Sequence, residues 1–113
     1  MEYYINLGKD FSPFPFGRYS PEDGYYSGEV FREKHLKEIL QRLKIEDKII
    51  IDLNDVLVGI GSSFLTVGFG GAVKNGYISK DLFLNCLEIK CDDGLYEGEI
   101  RGIIESAVVE EQL

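Results

Sequence analysis

Apolar positions along this chain fall into short runs whose spacing predicts the elements. Residues 2–7, Glu-Tyr-Tyr-Ile-Asn-Leu, read as a strand closed by Gly8. The pattern then breaks: residues 8–24 hold all three prolines (Pro13, Pro15, Pro21), three glycines and four aromatics. That composition predicts a long loop packing its own rings, with a short strand around Phe16-Gly17-Arg18-Tyr19. Structured loops of this length are uncommon unless they cover or build something. Leu36, Ile39, Leu40 and Leu43 recur at helical spacing, and with Ser27 as N-cap and Glu29 in the first turn they predict a helix over 28–44. Lys48 to Leu53 predicts a strand whose Ile49-Ile50-Ile51 run suits burial on both faces. Residues 62–75 predict a second helix ending at Asn75-Gly76, a left-handed C-cap. Leu82 to Lys90, apolar on both faces, reads as a central strand. A last helix is expected from Asp92 or Asp93 to residue 109, with Ile100, Ile103, Ile104, Ala107 and Val108 inward. The end, 110–113, reads as a frayed tail.

Alternating strands and helices imply crossover connections, so the expected class is α/β: a mixed, mainly parallel sheet of about four strands with three main helices. At 113 residues the chain reads as one domain, 1–113, with an aromatic and proline loop over 8–26.

The second helix is unusual in composition. Phe64, Leu65, Val67, Phe69, Ala72 and Val73 surround its axis, while Gly68, Gly70 and Gly71 each cost about 1 kcal/mol relative to alanine in a helix interior. Close contact must compensate, with the sheet or with another molecule. Its start, Gly61-Ser62-Ser63, puts hydroxyls and free backbone N–H groups at one exposed point. One serine suffices as a cap. The other, at the positive end of the helix, suits an anion or a phosphate.

The string Asp52-Leu53 at a strand end, followed by Gly61-Ser62-Ser63-Phe64-Leu65 opening a glycine-containing helix, resembles the core of the STAS family. That family includes anti-sigma factor antagonists, with the pattern Asp-Ser-Ser-Gly-Leu at this place. There the second serine, corresponding to Ser63, is phosphorylated by a partner kinase that is also the anti-sigma factor. The Phe16-Gly17-Arg18 element, Phe31-Arg32, and Ser63-Phe64 with Phe69-Gly70-Gly71 resemble more closely the divergent STAS-like domains, whose function is largely unassigned; the resemblance runs over about 16–107. Here Gly61 stands in place of the aspartate before the serines and Phe64 in place of the glycine after them. The resemblance implies a regulatory protein–protein module, with Ser63 and Ser62 as candidate phosphorylation sites and a regulator or kinase-like ATPase as partner. Gly61, Phe64, Gly68 and Gly71 are the expected docking residues.

Charge narrows the partner. A net charge of −8 repels phosphate backbones and disfavours direct nucleic-acid binding. It equally suits a second reading: a small acidic inhibitor of phage or mobile-element origin that blocks a basic nucleic-acid-binding complex by imitating phosphates. Met1-Glu2-Tyr3-Tyr4 does not open a signal peptide, and no apolar run is long enough to span a membrane, so a cytoplasmic protein without membrane contact is expected. Cys86 and Cys91, five apart on an extended segment, read as reduced core thiols. With one histidine in the chain, neither a zinc set nor any other metal or cofactor is expected.

Helical geometry puts Arg32 at the N-terminal end of the first helix's apolar stripe, where a guanidinium must pair or reach solvent. Asp52 or Asp55 is its expected partner. The alternative is an anion site shared by Arg32, Arg18 and the start of the serine helix. His35 reads as a packed or surface residue. Ile51-Asp52-Leu53-Asn54-Asp55 resembles the nucleophile motif of haloacid dehalogenase-type phosphatases, but Asn54 cannot supply the required proton transfer. No Gly-x-Ser-x-Gly elbow, Walker loop or dinucleotide fingerprint occurs, so catalysis is not expected. Phe11, Phe14, Phe16, Tyr19, Tyr25 and Tyr26 either form a satellite core under the loop or join the start of the second helix as a docking surface.

Overall fold

A computed structural model describes residues 1–109. The frayed tail expected over 110–113 lies outside the described residues.

Three parallel strands form the sheet: β1 (Glu2–Asn6), β2 (Lys48–Asp52) and β3 (Leu87–Lys90), in the order β1-β2-β3. Register pairs Ile5 with Ile51 and Ile51 with Ile89, and Tyr3 with Ile49 and Ile49 with Leu87. Strand residues alternate faces, so these two rows share the buried side. The other side carries Tyr4, Ile50 and Glu88, none of them fully buried. Ile50 is therefore not the residue of a strand enclosed on both faces, and one side of the sheet stays open.

The helical part comprises a wide π turn (Leu7–Phe11), α1 (28–42), α2 (62–74), α3 (Lys80–Cys86) and α4 (Glu97–Ser106). Ser27 caps α1 by accepting from Val30 N, as expected, and Gly76 ends α2 with φ +75°. Three strands and five helical segments replace the expected four and three. The largest difference is residues 80–86. Ser79 accepts from Leu82 N as an N-cap, and Phe83 and Cys86 turn inward three apart, so the segment read as a long central strand is a helix followed by a short edge strand. Capping chemistry here outweighs apolar alternation. The stretch around Phe16–Tyr19 is not a strand but an irregular loop, and α4 begins at Glu97 rather than Asp92.

α2 is the centre of the molecule. Phe64, Leu65, Phe69, Ala72 and Val73 are buried, with Phe31 of α1 stacking on Phe64 at 5.8 Å and Phe83 of α3 near Phe69 at 6.4 Å. Both α1 and α2 contain a π-helical stretch, Arg32–Leu36 and Thr66–Gly70. A π turn disturbs the regular backbone ladder and leaves carbonyls open to other donors, and these two stretches meet at Arg32. Cys86 is a buried free thiol and Cys91 a half-buried one. No helix among the described residues is long and apolar enough to cross a membrane.

Candidate functional site

The loop after β1 is held in shape from both ends. Phe16 N donates to Tyr26 O, and Gly28 N and Glu29 N donate to Gly17 O and Arg18 O, tying the loop to the start of α1. Asp23 accepts from Arg18 N and Tyr19 N, and these two N–H groups hold its carboxyl below the ordinary carboxylate value. Gly17 has φ +82°, and a Cβ there would lie 2.3 Å from Asp23 Cβ, so the turn requires glycine. Leu57 N donates to Pro13 O and brings the segment after β2 against the loop.

This scaffold turns rings outward. Phe11 packs into the core against Phe31 and His35, but Phe16 is 69% exposed and Phe14 57%, with Tyr19, Tyr25, Tyr26, Leu57 and Val58 also exposed. Of the six, Phe11 packs inward with Tyr26 edge-on against it at 5.5 Å and Tyr25 against Tyr26 at 5.0 Å, while Phe14, Phe16 and Tyr19 stand exposed. Lys34 lies over the Tyr25 ring at 4.7 Å and steadies it. Between the loop and the start of α2 is a depression of about 310 Å³, lined by Phe16, Gly17, Arg18, Gly59, Gly61 and Ser63 among others.

Neither serine caps α2. Gly61 occupies that place with φ −73°, exposed and with no side-chain cap bond. The first N–H groups therefore lack a side-chain acceptor, which leaves this end positive. Ser62 donates to Glu99 of α4 at 2.5 Å. Ser63, half-buried in the depression, has no side-chain partner among the described residues.

Of the residues expected to form an anion site, Arg18 and Ser63 do share this depression, whereas Arg32 does not. Arg32 is 8% exposed and lies across α2, donating from Nη1 to Val67 O and from Nε to Glu33, each at 2.9 Å. It pairs with neither Asp52 nor Asp55. Asp52 accepts from Tyr4 and from Asn54 N, and Asp55 from Asn6 Nδ2 at 2.6 Å with Lys9 Nζ at 3.8 Å. The guanidinium ties helix to helix, not helix to sheet, because it reaches Val67 O of α2 while Asp52 ends β2 and Asp55 follows it.

The expected docking residues separate as well. Gly61 is exposed. Phe64 is 0% exposed, and Gly68 and Gly71 are buried, so none of the three presents a free surface as Gly61 does. The glycines of α2 have internal reasons. A Cβ on Gly71 would lie 2.5 Å from Arg32 Nη1, one on Gly70 3.0 Å from Ile103 Cγ2, and Gly68 faces Gly28 and Phe31 of α1. Gly28 is the residue missed in the sequence: its place next to the Ser27 cap, at the crossing with α2, was its one visible signal. Leu57 and Val58 were missed too, being apolar residues in a stretch without periodicity.

His35 stacks on Phe31 and meets Phe11 edge-on, and burial lowers its pKa below the ordinary imidazole value. It is not among the groups lining the depression with Ser63.

The strand-end cluster makes a pH prediction. Burial pushes the Asp52 carboxyl up, but the Tyr4 hydroxyl, the Asn54 N–H and the Lys90 and Lys9 charges outweigh it and hold the pKa below the ordinary value. A depressed folded-state pKa stabilises above the unfolded value, and that contribution is lost as pH falls through the folded one. In urea unfolding, Asp52→Asn is expected to cost most at about pH 6 and progressively less toward about pH 2. A pH-independent difference would contradict the assignment.

The family model for a STAS-like domain of unknown function (DUF4325) matches residues 27–90, more than half of the chain. The match spans α1 through β3 and is narrower than the 16–107 expected from the motifs. The start of α2 lies inside it; the aromatic loop lies outside. No curated protein and no solved structure matches the chain.

Proposed function

This chain belongs to the STAS-like domains of unknown function (DUF4325), and we propose that it works as a non-enzymatic regulatory module that docks another protein. The observation that carries this reading is the ordered aromatic face, with Phe14, Phe16 and Leu57 more than half exposed and Phe16 lining the depression at the uncapped start of α2. Rings held outward by a hydrogen-bonded loop forgo burial that the core would reward, and large exposed apolar patches mark interaction sites. The family core supplies the scaffold, and the loop outside the family match supplies partner specificity.

Ser63 is the candidate switch. A phosphate there would meet the positive end of α2 and stand beside Arg18, while Ser62 is engaged with Glu99. The partner is a protein with an apolar recess for the loop rings; a kinase-like ATPase fits the serine switch.

Affinity purification of the native partner, repeated at high salt, tests the reading. Retention through the apolar face is expected to persist at high salt. Steep loss as salt rises would favour charge mimicry of nucleic acid toward a basic complex. For the switch, Ser63→Asp is expected to change partner affinity at least several-fold. Unchanged affinity, together with an intact mass showing no phosphate in cells, would remove it.

A further inference from the structure

We propose that a pocket on the flank of α2 facing α4 binds a small carboxylic acid with a flat apolar body. The pocket encloses about 770 Å³ and is distinct from the loop depression. Volumes of this order, mostly apolar with a few convergent polar groups, are typical of small-molecule sites. It is lined by Val67, Gly70 and Gly71 of α2 and Gly102 and Ile103 of α4, with Arg32, Lys74 and Glu99 as its charged residues.

Arg32 is the buried charge of this lining. Its side chain is nine-tenths buried; Nε donates to Glu33 and Nη1 to Val67 O, while Nη2 makes no hydrogen bond among the described residues and is left in reach of solvent, not buried and unsatisfied. Gly71 leaves room for the guanidinium against α2, because a Cβ there would collide with it. Lys74 has no ion-pair partner among the described residues. Two cations thus line one pocket in a chain of net charge −8, Arg32 paired on one side with Glu33 and Lys74 exposed. Guanidinium and ammonium donors recognise carboxylates through charge-assisted hydrogen bonds. Glu99 in the lining, and Glu33 against Arg32, disfavour a second negative charge and so a phosphate dianion.

Gly102, an exposed residue, lies in the same lining. It sits inside α4, where glycine costs about 1 kcal/mol relative to alanine, yet nothing lies within 4 Å of where its Cβ would stand. Packing within the described residues does not require it. Its absence of a side chain keeps the wall flat and the pocket open.

Amide chemical-shift titration of the full chain tests this, with 2-naphthoate, the neutral 2-naphthamide and inorganic phosphate as probes. Naphthoate is expected to move the Val67, Gly70, Gly71, Gly102 and Ile103 amides. Naphthamide should bind about tenfold more weakly, and Lys74→Gln should weaken naphthoate by about the same factor. Gly102→Leu fills open space, so the fold is retained while naphthoate binding is lost. Shifts elsewhere, equal binding of phosphate, or undiminished binding to Gly102→Leu would overturn the proposal. These readouts need no protein partner, so their failure leaves the docking reading standing, and the reverse holds.

Discussion

Phe64→Ala is expected to lower unfolding stability by about 3–5 kcal/mol, the range for truncating a buried aromatic ring. Phe64 is 0% exposed and lies against Phe31 at 5.8 Å and Phe11 at 6.2 Å, so truncation removes a ring from the middle of an aromatic cluster. Neighbouring helix backbones hold that cluster open, and the cavity cannot collapse cheaply. Against a typical total of about 5–15 kcal/mol, the loss makes the chain marginal. Urea unfolding measures it directly. The same experiment separates two roles for Phe64: a variant of native stability that no longer binds a partner would make it a docking residue after all.

Gly28→Ala is expected to cost about 2–3 kcal/mol, the upper part of the range for overpacking. The added Cβ would stand 2.5 Å from Phe64 O and 3.1 Å from Gly68 N. Both are backbone atoms of α2, so no side chain can swing aside, and α1 must move off the central helix. Gly98→Ala gives the internal comparison. Its Cβ enters open space, and α4 should gain about 0.5–1 kcal/mol from the better helix former. Equal effects at Gly28 and Gly98 would mean that α1 and α2 do not cross as closely as described.

How far the chain declared itself in advance depended on the kind of signal. Ser27, the stripe Leu36, Leu40 and Leu43, and Asn75-Gly76 specify their elements locally, and α1, β2 and α2 lie within two residues of their expected bounds. Residues 82–90 misled because Leu82, Phe83 and Leu84 fit a strand buried on both faces as well as a helix start. Ser79 and Lys80-Asp81 decided it, as local capping groups whose effect outweighs a short apolar run. The site was half legible. Ser63 and Arg18 line one depression, and both were legible because helix start and loop are each marked by composition. Arg32 was recognised as an arginine among apolar neighbours, but its partner was not, since Val67 O becomes available only once α2 takes a π turn. The glycines of α2 suggested an external partner because their internal neighbours, Arg32, Ile103 and Gly28, are remote in the chain. Tertiary contact of this kind leaves no periodic trace.

Docking through the aromatic loop is tested most directly by the double substitution Phe14→Ser with Phe16→Ser, measured for partner binding and for stability side by side. Both rings are exposed, so unfolding stability should stay within about 0.5 kcal/mol of the parent per site. Partner affinity should fall by about tenfold or more, as it does when aromatic anchors are removed from an interface. Full partner binding by this folded variant would contradict the assignment of the loop as the docking surface.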